Sequence, residues 1–312
     1  MDYWFDFRSN DYYCFNYYHN RKMTFLDFFN SKIKEKTAIT IGSFDGFHLA
    51  HKFIINLTIQ TSKLLNSKSL IFVFIEHIYK NSDLILTKEE KLEMLKNFDI
   101  DFIVLLDKRT FEITREEFLK ILKENFNVNW IIVGYNHRFG YKRQGDTFFL
   151  NENIKNYEFG LTIVPPIKVE NIEISSSNIR KFIKEGKIEI ANKLLGYNFF
   201  LKGSVKKGKG IGNKLGFPTA NIIIENEKIM PLEGVYLTKT YIENEAFFSA
   251  TYVKDIVETH IFNFNRDIYG EIIKVEFIRR ISDIMKFENF DELKKKIEND
   301  IKIAKNLIEN YF

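Results

Sequence analysis

The segment AITIGSFDGFHLAH, residues 38–51, joins a short apolar strand to the start of a helix through a glycine-rich turn. Gly42 and Gly46 permit positive φ angles and a close approach of the backbone to a ligand. His48 and His51 stand three residues apart and therefore lie on one face of the helix start. A helix N-terminus favours anions, and two imidazoles there can donate hydrogen bonds to a triphosphate. Taken alone, the pair also fits a glycine-rich turn with two surface histidines.

Apolar runs and helical patterns alternate from this segment to about residue 196. Further strands are predicted at Ser69–Ile75, Phe102–Leu106, Trp130–Val133 and Leu161–Val164. Helices are predicted at 48–65, 87–98, 114–124, 176–185 and 188–195, and Thr114 with Glu117 forms a capping box. Apolar strands without polar alternation are typical of a parallel sheet covered on both faces. Ligands of such sheets bind beyond the carboxyl ends of the strands, which favours a ligand site at the turn with the two histidines.

The pattern changes after Gly196. Short β-like runs follow, separated by Gly and Pro, and the chain closes with a helical pattern from about Phe290. We therefore predict an α/β fold in which a Rossmann-like parallel-sheet domain, residues 23–186, precedes a small antiparallel β-barrel with a C-terminal helix, residues 187–312. Residues 1–22 form an aromatic-rich extension without a clear period, and Met23 is a candidate for the true start.

The composition excludes several classes of protein. The chain has 312 residues, of which 45% are hydrophobic, so it can bury a full core and is not a disordered chain. A single cysteine, Cys14, allows no internal disulfide and fits the reducing cytoplasm. The net charge of +4 disfavours a nucleic-acid partner. No apolar run reaches the ~18 residues of a membrane helix, so we expect no membrane partner. The oligomeric state stays open.

Two further motifs carry cations in phosphate-binding surroundings. GYNHRFGYKRQGD, residues 134–146, follows an apolar strand and places Arg138 in a glycine-rich loop suited to nucleotide contact. A solvated basic loop fits this motif equally well. In EISSSNIRKFI, residues 173–183, three serines precede a helix, and Arg180 lies just inside it. Serine hydroxyls, helix N–H groups and a forked guanidinium can bind a phosphate. An ordinary helix cap with a surface arginine is the alternative.

A fourth motif, GSVKKGKGIGNKLGFPTAN, spans residues 203–221. It follows the P-loop pattern until Gly210 occupies the position that requires Ser or Thr, and we predict no helix after it, so a P-loop is excluded. Thr219 and Asn221 stand two residues apart on a predicted strand and therefore face the same side. Hydroxyl and amide oxygens are hard ligands, which Mg²⁺ accepts alongside nucleotide phosphates.

Six motifs occur in the order TIGSFDGFHLAH, VGYNHRFGYKRQGD, ISSSNIR, LGFPTAN, VETHIFNF with DIYG, and KFENFDELKKKIENDIKIA. In this order, the chain from about residue 37 to 309 resembles the bacterial bifunctional riboflavin kinase/FAD synthetase family. The resemblance implies an N-terminal FMN adenylyltransferase, which converts FMN and ATP to FAD and pyrophosphate. It also implies a C-terminal kinase barrel, which converts riboflavin and ATP to FMN and ADP with Mg²⁺.

The resemblance also implies roles for single residues. His48 and His51 would bind the ATP phosphates, and Arg180 would stabilise the transferring phosphate. Thr219 and Asn221 would hold Mg²⁺-ATP, and Glu258 would be the general base on the riboflavin hydroxyl; apart from the resemblance, Glu258 reads as an exposed strand carboxylate. ATP binding is expected of Gly42, Asp45, Gly46, Gly134, Asn136, Arg138, Ser175, Ser176, Ser177, Gly208, Gly210, Gly216 and Pro218.

Departures from the family pattern fall mostly on the flavin side. They are Ala50 between the histidines, the Asn136-His137 pair, a turn with His77 but without prolines, Asn213 in the glycine-rich motif, a shortened segment before Glu258, and Ser282 with Ile284. One alternative is therefore an FMN adenylyltransferase whose kinase barrel is impaired in flavin binding. Another is a flavin- or nucleotide-sensing protein without turnover, which would not need Glu258.

Overall fold

The computed structural model describes residues 24–74, 83–208, 210–224 and 227–309. The predictions about residues 1–22, Met23 and the turn at His77 lie outside these ranges. The chain divides into two compact units, each built from several segments. The first consists of the described residues of Met1–Ser43, Ile54–Glu76 and Glu89–Val164, and the second of those of Phe44–Phe53, His77–Lys88 and Pro165–Phe312.

A six-stranded parallel sheet forms the first unit. Its strands lie in the order β1-β4-β3-β2-β5-β8, and every pairing is parallel. The predicted parallel sheet is thus confirmed. The strands of this unit, with the short hairpin of β6 and β7, are β1 (Thr24–Asp27), β2 (Thr37–Gly42), β3 (Lys68–Phe74), β4 (Phe102–Leu106), β5 (Val128–Gly134), β6 (Arg138–Phe139), β7 (Gly145–Asp146) and β8 (Gly160–Val164).

Helix caps and an aromatic core fix the helices of this unit. Two helices, α1 (Leu49–Leu64) and α2 (Lys88–Leu95), have residues in both units. In α3 (Arg115–Phe126), the predicted capping box of Thr114 and Glu117 is present, and α4 (Thr147–Tyr157) is capped by the Asp146 side chain. Apolar side chains of α3 pack in a buried aromatic cluster that contains Phe28, Phe72, Phe118 and Phe126.

The last segment of the second unit opens with a short hairpin and two short helices. A hairpin of β9 (Lys168–Val169) and β10 (Ile172–Glu173) leads into α5 (Ser176–Lys184), and α6 (Ile188–Leu195) follows. Gly186 and Gly196 adopt φ angles of 71° and 68°, so glycine ends both helices in the left-handed conformation that other residues rarely adopt.

Six antiparallel strands then close into a barrel in the order β11-β12-β15-β14-β13-β16. Closure leaves no exposed strand edge, and it confirms the predicted barrel and C-terminal helix. The elements are β11 (Phe200–Lys206), α7 (Ile211–Leu215), β12 (Ala220–Ile224), β13 (Gly234–Ile242), β14 (Glu245–Val253), β15 (Val257–Ile261), β16 (Ile272–Ser282) and α8 (Phe290–Glu309).

Several elements differ from the sequence-based expectation. Helix α4, strand β1 and the short hairpins of β6 with β7 and of β9 with β10 were not predicted. The prediction of no helix after the glycine-rich loop was wrong, because the single-turn helix α7 lies there. It is only five residues long and is followed by β12 rather than a packed helix, so the motif still does not form a P-loop. Among the residues described, no helix combines the length and apolar character needed to cross a membrane.

Candidate active site

Gly42 and Gly134 end neighbouring parallel strands at the carboxyl edge of the sheet in the first unit. The next residue, Tyr135, donates its N–H to the carbonyl of Val164, which ends β8. Asn136 is exposed at this edge, and its Oδ1 lies 3.6 Å from the point that a Cβ on Gly134 would occupy. The predicted nucleotide residues Gly42, Gly134 and Asn136 are therefore brought to one edge, where a parallel sheet presents its ligand site.

Arg138 is held on the hairpin of β6 and β7. Its Nη1 lies 2.8 Å from the Asp146 carboxylate, and the same carboxylate accepts the N–H of Phe149 at the start of α4. His137, which departs from the family pattern, stacks on Phe139 with ring centroids 5.7 Å apart. Burial lowers the pKa of His137 to about 4, so its ring is neutral at physiological pH and packs as an aromatic side chain.

In the second unit, the rings of His48 and His51 stack with centroids 3.5 Å apart. The N–H of His51 donates to Nδ1 of His48 over 3.3 Å. An accepting Nδ1 carries no proton, so the neutral ring carries its proton on Nε2. Burial lowers the pKa of His48 to about 3. The buried imidazole is therefore a neutral hydrogen-bond donor, and positive charge at this place comes from other residues.

Asp45 links the histidine turn to helix α5. Its carboxylate is 1% exposed and accepts the N–H groups of Ile85 and Leu86, at 3.3 and 3.1 Å. Nη2 of Arg180 lies 2.5 Å from the same carboxylate, and Nε of Arg180 donates to the carbonyl of Asp83. The positive charge of Arg180 contributes to the lowered pKa of His48. The predicted cation and histidines are thus brought together, and Asp45 fixes the arginine.

The serines before α5 add to this arrangement. Ser175 caps the helix by accepting the N–H of Asn178. Ser176 donates its hydroxyl to the backbone carbonyl of Asp45 at 2.8 Å, and Ser177 is exposed. The start of α5 and the histidine turn are therefore hydrogen-bonded to each other, and Ser177 faces solvent at the helix N-terminus.

Two residues that the sequence did not single out, Tyr197 and Lys52, link the histidine turn and α1 to the end of α6. The hydroxyl of Tyr197 donates to the carbonyl of Gly46 at 2.7 Å. Nζ of Lys52 donates to the carbonyl of Gly196 at 3.2 Å and lies 5.1 Å from the centre of the Tyr197 ring. Burial lowers the pKa of Lys52 to about 8. No local pattern signals these partners, because about 150 residues separate Tyr197 from Gly46 in sequence.

The glycine-rich motif, residues 203–221, approaches the start of β12 closely. A Cβ on Gly208 would lie 2.6 Å from Cγ and 2.9 Å from Oδ1 of Asn221, so only glycine leaves room for that amide. Gly212 is similarly close to the Thr219 hydroxyl, 3.1 Å from a built Cβ. Gly210 and Gly216 have φ angles of 68° and 88°. The side chain of Asn213 lies outside the description.

Glu258 lies on β15 directly opposite Asn221 of β12. The Thr219 hydroxyl donates to Glu258 Oε2 over a long 3.4 Å. Burial raises the pKa of the half-buried Glu258 carboxyl, although the Thr219 hydrogen bond acts in the other direction. Its neighbour Thr259 is fully buried and faces the opposite side, where it bonds the Thr251 hydroxyl at 2.9 Å. The predicted trio of Thr219, Asn221 and Glu258 is therefore assembled on one face of the barrel wall.

These oxygens fit Mg²⁺ that arrives with a nucleotide. Within the described residues, no three His, Cys, Asp or Glu side chains form a metal-binding group. Mg²⁺ usually takes one or two protein oxygens together with substrate phosphates and waters, not a complete protein cage. The hydroxyl of Thr219 and the amide oxygen of Asn221, next to one carboxylate, agree with that preference.

Two departures from the family pattern have structural partners. The Ser282 hydroxyl donates to Asp300 and accepts from Lys296, both on α8. Asp300 is 4% exposed, so Ser282 completes a nearly buried polar contact between β16 and α8. Ala50 packs against the apolar core of the second unit.

Comparison with known proteins places a different family model on each of two parts of the chain. The family model for FAD synthetase matches residues 30–178, and the model for riboflavin kinase matches residues 195–308. A bifunctional riboflavin kinase/FMN adenylyltransferase of Buchnera aphidicola subsp. Schizaphis graminum is 35% identical over 88% of this chain and 95% of its own. The protein of the same name from Haemophilus influenzae is 28% identical, with the same coverage.

A solved structure shares the fold over most of this chain. The crystal structure titled macrolide-efflux protein from Streptococcus pneumoniae superposes with a TM-score of 0.78 and 26% identity. It covers 90% of this chain and 99% of its own.

Proposed function

The chain belongs to the family of bifunctional riboflavin kinase/FMN adenylyltransferases, transferases that form FAD by way of FMN, and from this premise we propose how its residues divide the two reactions. Residues 23–186 carry FMN adenylylation and residues 187–312 carry riboflavin phosphorylation, with ATP, riboflavin and FMN as substrates. The observation that carries the proposal is that Asn221 and Glu258 lie opposite each other on paired strands and that the Thr219 hydroxyl contacts Glu258, apart in sequence from the histidine turn.

In the adenylyltransferase, a phosphate oxygen of FMN attacks the α-phosphorus of ATP. The new P–O bond forms as the bond from the α-phosphorus to the bridging oxygen breaks, and pyrophosphate leaves with its electron pair. Nε2–H of the neutral His48 and the ring of His51 donate to the phosphates, while Arg180 supplies the positive charge. Asp45 orients Arg180 and so acts as a positioning residue. ATP contacts are also proposed for Gly42, Gly46, Gly134, Asn136, Arg138 and Ser175–Ser177. No protein nucleophile is required, so positioning and charge supply the catalysis.

In the kinase, Glu258 accepts the proton of the primary hydroxyl of riboflavin as its oxygen bonds to the γ-phosphorus of ATP. The bond from the γ-phosphorus to the β-phosphate oxygen breaks, and ADP leaves. A raised pKa makes the Glu258 carboxylate a stronger base than an ordinary glutamate. Gly208, Gly210, Gly216 and Pro218 shape the loop over the ATP phosphates.

Thr219 and Asn221 would hold Mg²⁺ in the kinase site. When bound with ATP, the ion neutralises phosphate charge and polarises the transferred phosphoryl group. The chain's own contribution is to orient the two oxygens, through the pairing of β12 with β15 and the close approach of Gly208. We place the enzyme in the cytoplasm, with small-molecule substrates and no nucleic-acid or membrane partner.

The test is to supply each substrate separately. Purified protein with riboflavin, ATP and Mg²⁺ should give FMN and then FAD by HPLC, and EDTA should stop FMN formation. His51→Ala should abolish FAD formation from FMN and leave FMN formation from riboflavin intact. FAD from FMN without FMN from riboflavin would instead select an adenylyltransferase with an impaired kinase barrel. Equal loss of both activities in His51→Ala would refute the division of labour.

A further inference from the structure

His260 lies on β15 two residues after Glu258 and therefore on the same face of the strand. Its Nδ1 lies 2.8 Å from the carbonyl oxygen of Pro218. A carbonyl oxygen only accepts hydrogen bonds, so this contact requires the ring proton on Nδ1. The tautomer of His260 is thereby opposite to that of His48.

The hydrogen bond continues the strand pairing where the backbone cannot. The ladder between β12 and β15 starts at Ala220, which is opposite Thr259. Pro218 has no N–H to exchange with the neighbouring strand. The side chain of His260 donates to the Pro218 carbonyl instead. Contact with β15 therefore extends to Pro218, two residues before the first paired residue of β12.

Aromatic neighbours hold the ring of His260 in place. The ring meets Phe217 edge-on, with centroids 5.8 Å apart and an interplanar angle of 90°. The ring of Phe262, two residues after His260, also meets it at an angle, with centroids 5.6 Å apart and an interplanar angle of 67°. Such edge contacts restrict the ring's rotation. The donor therefore has a fixed direction, as a positioning residue requires.

Fixing the Pro218 carbonyl also fixes Thr219. The peptide group is planar, so the carbonyl of Pro218 lies in one plane with the N–H and Cα of Thr219. Cα is the last atom of that plane, and it carries the side chain whose hydroxyl lies 3.4 Å from Glu258. Glu258 and His260 thus act on one threonine from a single strand.

We propose that His260 is a positioning residue of the kinase site, which holds the Pro218–Thr219 peptide so that the Thr219 hydroxyl faces Glu258 and the metal-bound nucleotide. The inference rests on the proposed role of Thr219 and Glu258 in riboflavin phosphorylation. His260 touches no substrate in this scheme, and its effect reaches the reaction through Thr219.

The test compares two substitutions at this position. His260→Phe keeps the ring and removes the donor, and it should lower kcat for riboflavin phosphorylation roughly 10- to 100-fold. His260→Asn places an amide N–H near the position of Nδ1, and it should retain activity within about threefold of the wild type because the donor is kept. FAD formation from FMN by the same preparations should be unchanged, and a circular dichroism spectrum that matches the wild type reports correct folding of the barrel. If the Phe variant does not fold, His260→Gln, whose amide lies one methylene farther out, takes its place with the same expected loss.

Each outcome has one meaning. A Phe variant with wild-type kinase activity, or an Asn variant as slow as the Phe variant, overturns the role of the hydrogen bond. A loss that appears only in the KM for riboflavin also overturns it, because the proposed effect acts on the transfer step. A wild-type protein that forms FAD from FMN but no FMN from riboflavin refutes the proposed kinase function itself, and His260 then has no site to position.

Discussion

Gly208→Ala should disable riboflavin phosphorylation by displacing a single amide. The added Cβ would lie 2.6 Å from Cγ of Asn221 and closer still to its Nδ2, where ordinary contact begins at 3.4 Å, so the amide must move by at least about 0.8 Å. A displacement near 1 Å of a positioning group costs roughly 10²-fold in rate. We therefore expect kcat for FMN formation to fall about 10²-fold, while FAD formation from FMN stays at the wild-type rate.

Initial rates by HPLC, with riboflavin or FMN as the substrate, measure both activities on one preparation. Gly270→Ala is the matched control, since Gly270 has a positive φ of 86° and no heavy atom within 4 Å of a built Cβ. It should cost about 1–2 kcal/mol of stability from backbone strain and little kinase activity. In an Asn221→Ala background, which is itself slow, adding Gly208→Ala should cost less than about threefold, because no amide is left to displace. A 10²-fold loss in that background as well would refute the reasoning.

Two further predictions concern pH. The pKa of His48 is lowered to about 3 from 6.5, so the unfolded chain binds this proton at higher pH than the folded chain does. The contribution of the neutral His48 ring to the stability of the folded protein is therefore complete above pH 6.5 and is lost as the pH falls. The free energy of unfolding, from urea titrations, should drop by about 2 kcal/mol between pH 7 and 5 from this residue, and a His48→Gln variant with an equal drop would contradict the assignment. Glu258 must be ionised to act as a base, and its pKa is raised above 4.5, so kcat/KM for riboflavin should rise with pH through a limb above 4.5. Glu258→Gln should lower kcat by about 10²- to 10⁴-fold and remove that limb, and a limb that persists in the variant would assign it to another group.

The elements with strong local signals were predictable from the sequence. Phe102–Leu106 is apolar throughout, and Ile188–Leu195 ends at a glycine, and both appear with those bounds. Helix α4 lacks such a signal, because its sequence TFFLNENIKNY is rich in asparagine and has no clear apolar stripe. Only Asp146, which caps it, indicated a helix start. Helix α7 contains a glycine and spans a single turn, so its propensity is too low to detect.

The candidate site was predictable in its residue types but not in its contacts. The histidine pair and the Thr219–Asn221 pair follow from spacing alone, because residues three apart on a helix and two apart on a strand share a face. The partners of Asp45 lie 40 residues away at Ile85 and 135 residues away at Arg180. Nothing local encodes such pairings. His260 could have been found, since it stands two residues after Glu258 on one strand.

The hydrogen bond between Tyr197 and Gly46 joins a residue in the stretch that matches riboflavin kinase to a residue in the stretch that matches FAD synthetase. Tyr197 falls inside the stretch that matches riboflavin kinase, yet its hydroxyl bonds the turn that carries His48 and His51, to which we assign a role in the adenylyltransferase. A substitution of Tyr197 should therefore lower FAD formation from FMN, although the residue lies in the part of the chain that matches riboflavin kinase. Chimaeras that exchange barrels between relatives should be grafted after residue 198, so that tyrosine and turn are inherited together.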